Sequence, residues 1–307
     1  MTDQLKDKIR QRQPGILTYG ITPPKAGQPE EKLREIARRQ VDRIQGIDID
    51  ALILYDIQDE KERVTEARPF PFMKTLDPQE YSQAYLADLA IPHIIYRCVG
   101  KYPPEVLKQW IEGKGTATRY SVFVGAASSS QAVSMSLAQA YQLVSKNDAF
   151  LLGGVAIPER HLLKSDEHLR VVSKQQKGCS YFVTQAVYNV EASKNFLSDY
   201  YYHCRSESLP LMPVVLTLTP CGSLKTLAFM KWLGVNIPRW LENELCYSSD
   251  ILDRSIHLSR QAFVELQEFG REKGIPIGCN VESVSVNRVE IEASIQLARD
   301  IKQIMNR

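Results

Sequence analysis

Gln185 lies in the run Tyr181-Phe-Val-Thr-Gln185-Ala-Val-Tyr188, a lone amide among mostly apolar neighbours. A glutamine amide offers two donors and an acceptor, which suits the edge of a heterocycle or a satisfied core position. Gly125-Ala-Ala-Ser128-Ser-Ser130 runs into an Ala/Ser/Leu-rich stretch. Such a start can present backbone N–H groups and hydroxyls to an anion at a helix N-terminus, or be an ordinary serine-rich helix start. His161, in Pro158-Glu-Arg-His161, has the chemistry to bind a phosphate, stack on a ring or cap a helix. Glu282 is the only carboxylate close behind the apolar run that ends near Cys279, and a carboxyl facing a pocket can act as acid or base. Asp56, Asp59 and Glu60, with Arg63 and Arg68, make either a charge network at a site or a solvated salt-bridge cluster. His93, His168, His203 and His257 show no metal-ligand spacing along the chain.

These residues follow short apolar runs that alternate with helical patterns. The sequence predicts strands near 16–21, 52–55, 93–98, 120–124, 149–155, 180–184, 213–218 and 275–279. Helices are predicted at 29–44, 77–89, from 103 through Trp110, and at 130–144 and 166–177. Further helices are predicted at 191–203, 223–233, 238–245, 251–272 and 288–305. Asp77-Pro78 is a cap with proline at the first helical position. Eight strands, each followed by helix, with no break in composition, predict a single (β/α)8 barrel over 1–307. An open doubly wound sheet is the alternative, and no GxGxxG motif follows the first strand. In a barrel the chemistry sits just beyond the C-terminal strand ends. There the list is Thr22, Asp56, Arg97, Gly125–Ser130, Pro158–His161, Gln185, Tyr188, Thr217, Thr219, Asn280 and Glu282.

Composition narrows the partners. The 307 residues carry 38 Lys+Arg against 36 Asp+Glu, a net charge of +2 that gives no reason to expect a nucleic-acid track or an anionic-membrane surface. A small anionic ligand needs only a few local cations. The six cysteines include no CxxC pair, as expected for reduced structural thiols in the cytoplasm. The first fifteen residues are polar, without a signal-peptide core.

The order of strand-end motifs resembles that of the methylenetetrahydrofolate reductase family. Tyr19-Gly-Ile-Thr22-Pro-Pro-Lys25 is similar to the family's aromatic-Glu-aromatic-aromatic-Pro-Pro opening. Gly154-Val-Ala-Ile-Pro-Glu-Arg-His161 is similar to its Gly-Val-Ala-x-Tyr-Pro-Glu-x-His segment. Phe182-Val-Thr-Gln185-Ala-Val-Tyr188-Asn189 is similar to Ile-Thr-Gln-Phe-Phe-Phe-Asp, and Ile237-Pro-Arg-Trp240 to Ile-Pro-x-Trp. The resemblance implies an FAD-containing barrel in which NAD(P)H reduces a folate-bound one-carbon unit, in one-carbon metabolism and methionine biosynthesis. It implies that Gln185 meets the folate pterin and, at another stage, the nicotinamide, and Tyr188, Thr22 and Asp56 are further candidates for the substrate. It places His161 and Lys174 along the FAD, and Gly125, Ser128 and Arg170 are further candidates for the cofactor.

The departures bear on mechanism. The family's catalytic glutamate aligns with Gly20, and its strand-four aspartate with Ala126. Glu167, Arg170 and Ser173 stand where the family usually carries Asp, Asn and Arg, and Ser223 stands in place of a phenylalanine. Glu282 is the expected substitute acid, with Asp56 and Asp59 behind it. The expected function is a divergent NAD(P)H-dependent reductase. The alternative is a non-catalytic or regulatory pterin- or flavin-binding member, and another reaction on the same barrel, such as a Schiff-base lyase, comes third. The expected partner is a folate-type small molecule, with no nucleic acid, no membrane and no metal, and self-association is left open.

Overall fold

The protein was analysed as a computed structural model, which describes residues 4–59, 66–113, 118–126, 133–144 and 149–306. Eight parallel strands close into one barrel in sequence order. They are β1 (Leu17–Ile21), β2 (Ala51–Leu54), β3 (His93–Cys98), β4 (Arg119–Val124), β5 (Phe150–Ala156), β6 (Cys179–Ala186), β7 (Val214–Leu218) and β8 (Ile277–Glu282). β1 closes the ring on β8, with Thr18 beside Asn280 and Gly20 beside Glu282. The expected (β/α)8 barrel is the observed fold.

The helices run in chain order as α1 (Gln4–Arg10), α2 (Glu30–Ile44), α3 (Pro78–Tyr85), α4 (Pro104–Glu112), α5 (Leu137–Leu143) and α6 (Pro158–Lys164). There follow α7 (Glu167–Gln176), α8 (Val190–Ser206), α9 (Leu224–Trp232), α10 (Arg239–Cys246), α11 (Ile251–Lys273) and α12 (Arg288–Met305). Local chemistry explains several ends. The Asp77 carboxylate accepts from the Gln79 and Glu80 amides while Pro78 takes the first helical position. Gly274, at φ 68°, closes α11 in the left-handed conformation that glycine adopts without penalty.

Two apolar cores follow from the alternation of strand side chains. Ala51, Ile53, Ile94, Tyr96, Tyr120, Val122, Tyr181, Val183 and Val215 fill the barrel. The opposite strand faces, with Leu17, Leu52, Leu54, Phe123, Leu152, Phe182 and Leu216, pack against the helical layer.

Three expectations change. The polar N-terminus is not elementless: α1 buries Leu5 and Ile9 in the inner core, and Lys8 pairs with Asp50 at 2.7 Å to tie it to the barrel. A 3.6-residue pattern is too short to read in seven residues. Of the helix predicted at 130–144, residues 130–132 lie outside the described residues, 133–136 are not helical, and the helix starts at Leu137, where Ser136 and Gln139 form a reciprocal capping box. The Pro158–His161 segment, where no helix is predicted, is the first turn of α6, which Pro158 opens. Among the described residues no helix is long and apolar enough to cross a membrane. All six cysteines are free thiols, five of them buried.

Candidate active site at the barrel mouth

The C-terminal end of β8 builds a connected polar group at the mouth. Thr18 donates to the Asn280 side-chain carbonyl at 2.9 Å. The Asn280 amide donates to the Tyr55 hydroxyl at 2.8 Å and to Thr217 Oγ1 at 3.3 Å. The Tyr55 hydroxyl and the Asn280 amide lie against the Glu282 carboxyl, and Tyr55 meets Tyr96 edge to face at 4.8 Å. Burial pushes the Glu282 carboxyl up to about 7, and the two neighbouring donors offset only part of that. Glu282 is therefore a mixture of acid and carboxylate at neutral pH, the condition for proton donation or acceptance.

Gly20 explains how Tyr55 reaches this group. A Cβ at position 20 would stand 2.7 Å from Tyr55 Cε2 and 2.9 Å from its hydroxyl oxygen. The ring thus occupies the space that a side chain on β1 would need. The sequence pointed to Glu282 and Asn280 at the end of β8 but not to Tyr55 and Thr18. Tyr55 ends an apolar run and reads as a strand residue, so only the closed barrel reveals it.

Other expected site residues are placed as follows. Gln185 shares its strand face with Tyr181 and Val183, but a register break follows Val183. Its amide donates to the Leu233 carbonyl at 2.8 Å, and its own carbonyl accepts no hydrogen bond among the described residues. Tyr188 is buried and donates to the Thr219 carbonyl at 2.6 Å. Thr22 is exposed beyond β1. Asp56 is buried, and its carboxylate accepts from the Cys98 amide at 2.8 Å, the Tyr102 hydroxyl at 2.9 Å and Lys101. These contacts hold the end of β3. The Arg68 guanidinium lies over Phe72, Phe229 and Trp232 at 4.9–5.3 Å. Glu60 and Arg63 lie outside the described residues, as does Ser128. Gln58 bridges two mouth loops by donating to the Gly125 carbonyl at 3.0 Å.

The groups that the resemblance assigns to FAD are engaged elsewhere. His161 is buried, with Nε2 3.0 Å from Asp199 in α8. Lys174 is turned onto the Val155 carbonyl, and burial lowers its pKa. Arg170 pairs with Asp166 on the surface. Arg160 pairs with Glu167, which also accepts from the Ile157 amide at 2.9 Å. Ser223, in place of a phenylalanine, caps α9 by accepting from Thr226. Among the described residues, the cations expected along a flavin diphosphate are committed to protein acceptors, and this donor set does not fit the group.

The fold and the mouth define a (β/α)8 barrel with a half-buried carboxyl at the end of β8 whose pKa is raised to about 7. Residues 120–259 match the family described as methylenetetrahydrofolate reductase. A solved structure described as an uncharacterized protein from Clostridium thermocellum that binds two copies of 5-methyl-5,6,7,8-tetrahydrofolic acid is 55% identical. The match covers 98% of this chain and 99% of that chain, with a TM-score of 0.88. The chain belongs to the methylenetetrahydrofolate reductase family. Dihydropteroate synthase from Thermus thermophilus aligns over 95% of this chain and 94% of its own, at 14% identity and a TM-score of 0.46, which carries no argument. No curated protein matches the chain.

Proposed function

We propose that this protein binds a reduced folate at the barrel mouth, with the Glu282 carboxyl donating to a nitrogen of the bound molecule. The similarity to the Clostridium thermocellum protein, whose description names 5-methyltetrahydrofolate, carries the proposal because it extends over both chains. The mouth supports it chemically. Glu282 supplies a proton donor near neutral pH, and Gln185 keeps an unengaged carbonyl for a heterocycle edge. Titration of the purified protein with 5-methyltetrahydrofolate, followed by calorimetry, tests this directly. Saturable binding is expected, and no heat at millimolar ligand sinks it.

A second reading adds turnover, and the raised pKa of Glu282 favours it. In that reaction the acid protonates N10 of a methylene-folate, and the bond from the methylene carbon to N10 breaks. NAD(P)H then passes hydride to the resulting iminium carbon, giving a methyl group and NAD(P)+. Against this stand Gly20 and Ala126 at the positions of the family's two carboxylates. Oxidation of NADH or NADPH in the presence of methylene-folate, measured with and without added FAD, separates a reductase from a binding protein. Its outcome leaves the calorimetric test intact.

A further inference from the structure

We propose that His161, His168 and Asp199 form a binding site for a divalent transition metal of the Zn2+ type, set between α6, α7 and α8. One donor atom from each residue lies within 4.8 Å of the other two. Zinc takes nitrogen and carboxylate oxygen at about 2.0–2.2 Å, so small side-chain rotations bring this set into a tetrahedral shell. His161 is 96% buried, since its exposure is 4%, and its Nε2 already stands 3.0 Å from Asp199 Oδ2. The Nδ1 atoms of both His161 and His168 are buried without a hydrogen-bond partner. Two imidazole nitrogens that have lost water and gained no protein partner are an unusual arrangement unless something else binds these rings.

The surroundings agree. Asp199 has no Lys or Arg partner among the described residues, and its side chain is half exposed, which leaves an entry path. His203 follows Asp199 by one helical turn on α8, and its ring centroid is 5.6 Å from that of His168. It is placed to complete the shell in a second rotamer. All the donors stand on helices, which hold ligand geometry better than loops. Two imidazoles and a carboxylate suit zinc and its neighbours rather than calcium or magnesium.

The test uses the full chain, untagged and stripped with chelator, titrated with Zn2+ by calorimetry and with Co2+ by visible absorption. One equivalent is expected, with the intense bands of four-coordinate Co2+. His168→Ala and Asp199→Asn should each weaken binding roughly tenfold or more, while circular dichroism shows both variants folded. Retained Co2+ bands with unchanged affinity in both variants would place the ion elsewhere and overturn the proposal. So would a wild-type chain that takes up no metal.

Discussion

Gly20 and Glu282 are partners across the β1–β8 pairing. The position where the family carries its glutamate and the position where this chain carries one are therefore neighbours at the same level of the barrel. The Tyr55 ring fills the space over Gly20 and its hydroxyl lies against Glu282. A carboxyl at the end of β8 thus reaches the same part of the mouth by a different strand.

The first prediction concerns proton donation. With its pKa raised to about 7 by burial, Glu282 donates below that pH and loses its proton above it. Affinity for 5-methyltetrahydrofolate should be highest near pH 6 and fall by pH 8. Glu282→Gln keeps a donor that cannot ionise, so it should bind within about threefold of wild type at pH 6 and show a flat profile. In a turnover assay the same variant should lose roughly 10²–10⁴ in rate. A wild-type profile in the variant removes Glu282 from the site.

The second prediction tests whether Gly20 and Tyr55 are coupled. Gly20→Ala places a methyl group inside van der Waals contact with the Tyr55 ring. Overpacking of that kind costs about 1–3 kcal/mol. Tyr55→Leu shortens the opposing side chain, so the double variant should recover part of that cost. Chemical denaturation of the four proteins gives the interaction energy. Additive effects would mean that the two sites do not press on each other.

Much of this fold is legible in the sequence because each β/α unit announces itself locally. The strand at 93–98 and the helix at 288–305 coincide with β3 and α12 to the residue. Pattern reading fails where burial is decided by distant chain. Leu5 and Ile9 look like isolated apolar residues until the barrel supplies a base for them to plug. Glu282 is visible because it follows an apolar run. Thr18 and Asn280 meet only through barrel closure, 262 residues apart. The grouping of His161 with His168 and Asp199 is hidden in the sequence for the same reason. His161 and His168 are seven residues apart on two helices, and Asp199 comes from a third.

Asp56 gives a third prediction. Its buried carboxylate holds the Cys98 amide, the Tyr102 hydroxyl and the Lys101 ammonium. Asp56→Ala removes a partner from each, although Tyr102 keeps Asp77 and Lys101 keeps the Ile57 carbonyl, and loss of a charge-assisted set of this size costs about 2–4 kcal/mol. The thermal midpoint should fall accordingly, while folate affinity measured well below the transition should stay within about threefold. A large loss of affinity in a fully folded variant would return Asp56 to the substrate site.

Glu159 carries the last prediction. It is buried in the first turn of α6, and neither carboxyl oxygen has a hydrogen-bond partner. Burial drives its pKa up to about 8, its own backbone N–H lowers it somewhat, and the charge of Glu167 adds to the rise. The native protein therefore holds a proton at pH 7 that the unfolded chain, with an ordinary glutamate, has released. By linkage, stability falls as pH rises from the ordinary carboxyl range through 8, with a slope of at most about 1.4 kcal/mol per pH unit for one group. Glu282 contributes in the same direction up to about 7. Urea midpoints at pH 5, 6, 7 and 8 should decline steadily for wild type. Glu159→Gln, neutral throughout, should decline less and cross above wild type at the alkaline end. Parallel curves would mean that the Glu159 carboxylate is ionised in the native state.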